Sequence, residues 1–139
     1  MQCSVRWTGE GLSFIAETGS GHSVAMAGAP DGGGRNLAPR PMEMLLAGTG
    51  GCAAYDVVLI LQRGRHRVSG CTVQLSAERA PEDPKVFTRI DMQFTVRGTA
   101  LSREAVLRAV QLSHEKYCSA TAMLAKTATI THSVQIEEV

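Results

Sequence analysis

Residues 41 to 61, PMEMLLAGTGGCAAYDVVLIL, are the most apolar stretch of this 139-residue chain and the hardest to place on a surface. A helix built from them carries apolar side chains on nearly every side, and such a helix is stable only where it is covered all round. One chain of this length has a real core but little material to surround about five helical turns. Two such helices wrapped by the sheets of two subunits would solve the problem. The stretch therefore predicts a homodimer with a large apolar interface, its subunits intertwined around central buried helices. It also approaches membrane-spanning length, but Glu43, Asp56 and its glycines make it a poor span.

The glycines need their own reason. Gly48, Gly50 and Gly51 each cost a helix interior about 1 kcal/mol relative to alanine. A break in the chain there would remove that cost, ending one helix and starting another near Gly51. Cys52 would then lie in a first helical turn, where unpaired N–H groups and the positive end of the dipole favour thiolate over thiol. Close packing against another helix is the rival explanation, and both can hold. Cys52 can equally be a small buried hydrophobe, the ordinary fate of an intracellular cysteine. Asp56, four residues on, opposes thiolate formation unless a base screens it.

The rest of the chain alternates sharply. Cys3, Val5 and Trp7 alternate with polar residues, LSFIAE and SVAMA follow, and glycine-rich turns separate the three strands into a meander. GAPDGGGRNLAPR is read as a loop without regular structure, with Pro41 suited to a first helical turn. Val73, Leu75 and Ala77 share one strand face, and Ile90, Met92, Phe94 and Val96 point inward from a hairpin partner. Ser102 caps a helix expected to run to about Cys118, with Val106, Val110, Ser113 and Tyr117 as its stripe. A further turn or two of helix and a final strand, ATITHSVQIEEV, complete an α+β order of βββ–α–ββ–α–β in a single domain, residues 1–139. Aromatic residues make up only 4% of the chain, so the core must rest on Leu, Val, Ile, Met and Ala. A net charge of +1 without a basic run argues against nucleic acid and against an anionic membrane surface as partners. The N-terminus has no basic region followed by an apolar run, so a cytoplasmic location is expected.

Four cysteines, Cys3, Cys52, Cys71 and Cys118, are scattered without a C-x-x-C. In a reducing compartment such thiols serve transient chemistry better than a structural framework. Cys118 stands at a helix boundary, and with Cys52 it could form a peroxidatic and resolving pair: one thiolate becomes sulfenic acid, the other condenses with it. Sequence separation alone neither supports nor forbids their contact. Cys3 and Cys71, on strands, read as inert structural thiols. His114 and Cys118 at i, i+4 supply only two metal ligands with no compact second pair, so no metal is expected. His132 shares a face with Ile130, Val134 and Ile136 and reads as a hydrogen-bonded core histidine. DGGGRN and GTGG fit neither phosphate-binding pattern, and no convincing base accompanies Cys52 for hydrolase chemistry.

Taken together, PMEMLLAGTGGCAAYDVVLIL, ERAPEDPKVFT and EKYCSATAMLAKTATITHS resemble the OsmC/Ohr family of thiol-dependent hydroperoxide reductases over nearly the whole chain. The resemblance implies an intertwined homodimer with two sites near the subunit interface, Cys52 as the reactive cysteine and Cys118 as its resolving partner. It implies reduction of organic hydroperoxides without metal or flavin, with an external dithiol, a dihydrolipoyl group in part of the family, restoring the thiols. The match is to a less characterised branch. The established peroxidases begin the reactive-cysteine helix with Asn-Pro and an acid. Here Pro41 is followed by Met42, and Glu43 stands one place later, about 100° further round a helix. They also carry an arginine between early strands, and this chain has no Lys or Arg between Arg6 and Arg35. Arg40, held near the helix start by Pro39 and Pro41, is favoured over Arg35 to hold the thiolate charged, with Glu43 as its partner or as a first-turn carboxylate. The rival function is a dimeric module that binds a small molecule or thiol carrier, with redox-sensing or vestigial cysteines.

Overall fold

Strict alternation makes the longest hairpin of the molecule, in a computed structural model that describes every residue from Met1 to Val139. Strand β4, Arg67–Arg79, runs antiparallel to β5, Phe87–Thr99, with Val73 opposite Phe94, Leu75 opposite Met92 and Ala77 opposite Ile90. On β5 the inward residues Ile90, Met92, Phe94 and Val96 are buried, as the period of two requires. The last strand, β6 (Thr129–Glu138), lies parallel to β5, giving the order β4-β5-β6. Its register is pinned by an Arg97–Glu137 ion pair and by a hydrogen bond from Thr131 Oγ1 to Asp91. A parallel pairing needs a crossover, which the helices α2 (Arg103–Leu112) and α3 (Ser119–Leu124) supply.

The N-terminal strands β1 (Cys3–Trp7), β2 (Ser13–Thr18) and β3 (Ser23–Ala27) form a separate antiparallel meander. The chain divides into two compact units, Met1–Ala47 and Gly48–Val139. The architecture is α+β in the expected element order, with one addition: the glycine-rich loop holds a short 3-10 turn at Pro30–Gly32, where none is expected.

Two helical expectations fail in informative ways. Helix α1, Pro41–Arg63, is continuous, so the glycines neither end nor start a helix and Cys52 sits in mid-helix without a dipole end to charge it. Gly50 has a packing reason instead. A Cβ there would come within 2.6 Å of Leu75 Cδ1, so glycine lets the helix close on β4. Gly48 and Gly51 meet nothing within 4 Å and lie on an open side of the helix.

The second helix, capped by Ser102 Oγ accepting from Ala105 N, stops at Leu112 rather than at Cys118. A π turn, Ser113–Tyr117, follows it, closed by Cys118 N donating to Ser113 O. One extra residue in the turn shifts the inward position by one. Tyr117, the expected fourth member of the stripe, is 51% exposed, and Cys118 takes the inward place at 2%.

Candidate functional site

The buried face of α1 in the second unit is Thr49, Gly50, Ala53, Val57 and Leu61. Cys52 and Asp56 stand one turn apart on the flank of that face, both half-buried. Cys118 reaches the same spot from the junction of the π turn with α3. The Sγ atoms of Cys52 and Cys118 and a carboxylate oxygen of Asp56 lie within 4.8 Å of one another. Both thiols are free, and sulfurs this close need only local side-chain movement to bond.

Neighbours hold each group in place. Ser113, buried at the start of the π turn, donates from Oγ to Asp56 Oδ2 at 3.0 Å and reaches Ala53 O at 3.5 Å. Cys118 is the N-cap of α3, its sulfur accepting from Thr121 N at 3.5 Å, while Thr121 Oγ1 donates to Cys118 O at 3.0 Å. Burial pushes the Cys118 thiol above its ordinary pKa; Thr121 opposes the shift and the adjacent Cys52 adds to it. Cys118 is thus a sheltered thiol whose burial disfavours the charged form, and Cys52 is the more accessible of the two. That division suits one sulfur for attack on an incoming molecule and the other for second-step condensation.

Arg40 and Glu43 are brought together, in the first unit. Arg40 Nη1 lies 3.6 Å from Glu43 Oε2 and donates to Asn36 Oδ1 at 3.1 Å. Glu43 also accepts from Arg40 N at 2.9 Å, so it caps the start of α1 and pairs with the arginine at once. Arg35 is engaged elsewhere, 3.6 Å from Glu10 Oε2. Sequence reasoning did not bring Asp56 together with both thiols, and it missed Ser113 and Thr121 as their partners. The i, i+4 spacing of Cys52 and Asp56 was the available signal, whereas Ser113 read as one more member of an apolar stripe.

Beside the cysteines a cleft of about 10 Å³, room for one water, is lined by Ala53, Met92, Phe94, Val110, Ser113, His114, Thr121 and His132. His132 is not a hydrogen-bonded core residue. It is solvent-exposed on the edge strand, with its ring 5.2 Å from that of His114. Partial burial lowers its pKa first, the charge of His114 second, with Glu115 opposing. Among the other thiols, Cys3 is exposed rather than inert in a core. Cys71 is half-buried, and desolvation raises its pKa.

Comparison with known proteins agrees with this geometry at the level of fold. The family described as OsmC-like protein matches residues 32–133. Protein YhfA of Escherichia coli strain K12 is 50% identical over 136 residues, covering 98% of each chain. Among solved structures, a hypothetical protein from Aquifex aeolicus VF5 superposes with a TM-score of 0.80 at 28% identity, over 99% of this chain and 97% of its own. A putative organic hydroperoxide resistance protein from Vibrio cholerae, with captopril bound in one of its active sites, superposes with a TM-score of 0.69 at 15% identity, over 96% and 91%.

Proposed function

For this chain, which belongs to the OsmC-like protein family, we propose a thiol-dependent hydroperoxide reductase acting on organic hydroperoxides through Cys52 and Cys118. The observation that carries this reading is the meeting of two free thiols, 66 positions apart in sequence, within 4.8 Å. The chain shares its fold with a putative organic hydroperoxide resistance protein of Vibrio cholerae, and that class of substrate is the one proposed. In the proposed cycle the Cys52 thiolate attacks the O–O bond, which breaks. The sulfur becomes sulfenic acid, and the alkoxide leaves as the alcohol after taking a proton. The Cys118 thiol then attacks the sulfenic sulfur, an S–S bond forms, and water departs. An external dithiol of the dihydrolipoyl class returns both thiols by exchange. Arg40, paired with Glu43, stands at the start of the unbroken helix α1, about 18 Å along its axis from Cys52, so it does not hold the charge of the thiolate in its own chain.

The protein works, in this reading, as a cytoplasmic homodimer. The open side of α1 supports the second copy: Gly51, Ala54, Tyr55, Val58, Leu59 and Gln62 line a shallow, mainly apolar groove, and Tyr55 is 68% exposed.

Titration with an alkyl hydroperoxide tests the chemistry. The wild-type protein loses two thiols per chain, gains a Cys52–Cys118 disulfide and recovers with a dithiol. Cys52→Ser lowers turnover to background, and Cys118→Ser is oxidised once and accumulates sulfenic acid or its further oxidation products. Sustained turnover by Cys52→Ser, or thiol loss in the wild type no faster than that of a free cysteine, would favour the rival binding or sensing module.

A further inference from the structure

We propose that Cys52, Cys118 and Asp56 form, in the reduced protein, a binding site for a thiophilic divalent cation, zinc foremost. Two sulfurs and one carboxylate oxygen already lie within 4.8 Å of one another. Ligand atoms on a tetrahedral zinc stand about 3.3–3.8 Å apart, given bonds of about 2.0–2.3 Å. The donors come from two elements and are spaced for it: Cys52 and Asp56 one turn apart on α1, Cys118 at the start of α3.

Each donor with a fixed partner is held as a ligand would be. Ser113 Oγ occupies Asp56 Oδ2 and leaves the other carboxylate oxygen free to bind. Thr121 N donates to Cys118 Sγ, a contact that stabilises sulfur as thiolate. Asp56 makes no ion pair within the chain, so its charge is met only by a hydroxyl. A divalent cation among the three would offset the charge of the carboxylate and of both thiolates at once. Three protein ligands leave a fourth position for water or a small thiol, the arrangement of open rather than closed zinc sites.

Uptake of the ion releases the two thiol protons, and the ion leaves again when the thiolates are oxidised. In that second step, which rests on the reductase reading, an alkyl hydroperoxide takes two electrons from the sulfurs. The O–O bond breaks, the S–S bond forms, two protons come from solvent, and alcohol and water are produced. The disulfide no longer donates to the cation, which is released.

Full-length, reduced, metal-stripped protein titrated with Co²⁺ tests the site directly. One Co²⁺ per chain is expected, with thiolate-to-metal charge-transfer absorption that Zn²⁺ abolishes by displacement. Cys52→Ser and Cys118→Ser each weaken or remove that absorption. Asp56→Asn, nearly isosteric, lowers Co²⁺ affinity at least about tenfold, and Ser113→Ala about tenfold through loss of the hydrogen bond that holds Asp56. Circular dichroism confirms that each variant is folded. Absence of saturable Co²⁺ binding to the wild type, or affinity unchanged in folded Asp56→Asn, overturns the site. Zn²⁺ release by one equivalent of alkyl hydroperoxide is then followed with a chromogenic chelator, and peroxide consumption by metal-free protein is measured separately. Consumption without Co²⁺ binding rejects the metal site and leaves the reductase standing; Co²⁺ binding without consumption keeps the site and rejects the reductase.

Discussion

The sheet β1-β2-β3 and the sheet β4-β5-β6 have the same number of strands and opposite relations to water. In the second unit, Ile90, Met92, Phe94 and Val96 on β5 are buried, as are Val106, Ala109 and Val110 on α2 and Ala53, Val57 and Leu61 on α1. In the first unit the only buried residues are Ala16 and Ala27, and Val5, Trp7 and Leu37 are 57%, 58% and 73% exposed. A three-stranded sheet is independently stable when it has an apolar face to bury, and the N-terminal one buries two methyl groups. The C-terminal unit has a core of its own, whereas the N-terminal unit has the residues for half of one. The proposed homodimer would account for the difference, since a second copy could cover the N-terminal sheet as well as the open apolar side of α1.

The most forceful way to break that contrast is dilution. If a second copy covers the N-terminal sheet, amide exchange in β1–β3 accelerates at least about a hundredfold as the protein falls below its dissociation constant, while β5 stays protected. Hydrogen exchange by mass spectrometry at a range of concentrations, with sedimentation in parallel, measures this. A sedimenting monomer whose β1–β3 amides are protected at every concentration would end the dimer reading.

Next in size is the contrast between two isoleucines. Ile90 is fully buried on the central strand, and Ile90→Ala should destabilise by about 2–5 kcal/mol, transfer and cavity together. Ile15, on β2, is only half-buried in the single chain. Ile15→Ala should cost less than half as much under dilute conditions and approach the Ile90 value as the dimer fills. Urea midpoints at two protein concentrations decide it. Equal losses in dilute solution would show that the N-terminal sheet has a core of its own.

What could be read in advance follows the same division. Period-two alternation names the inward residues of β5, Ile90, Met92, Phe94 and Val96, because that central strand is covered within the chain, whereas Val73, Leu75 and Ala77 of β4 are only half-buried. The pairing of β6 parallel to β5 was not legible, since a strand's own pattern is the same for either direction. Cys52 and Cys118 were singled out by their places beside glycines and at a helix end, though the reasons differed from the ones offered. Cys52 has no helix terminus near it, and Cys118 is buried by a π turn that no local residue preference announces. The thiol environment was hardest of all. Ser113 lies 57 positions from the Asp56 it holds, and a hydroxyl on an otherwise apolar stripe carries no mark of such a partner.

The glycines of α1 offer the smallest and sharpest test. At Gly50 a new Cβ meets the terminal methyl of Leu75 at 2.6 Å, a half-buried side chain that can swing aside. Its displacement, about 1–3 kcal/mol for overpacking, is set against a gain of about 1 kcal/mol in helix propensity, so Gly50→Ala should be mildly destabilising at any concentration. Gly48 has nothing within 4 Å, and in a lone chain Gly48→Ala has only the propensity gain, about 1 kcal/mol. If that side of the helix lies against a second copy, the same methyl stands in the interface. The dilute protein then becomes more stable while the dimer dissociates more readily, two effects of opposite sign from one atom. Thermal unfolding of Gly48→Ala at low and high concentration separates them, and a stabilisation of the same size at both would mean that the open side of α1 faces only water.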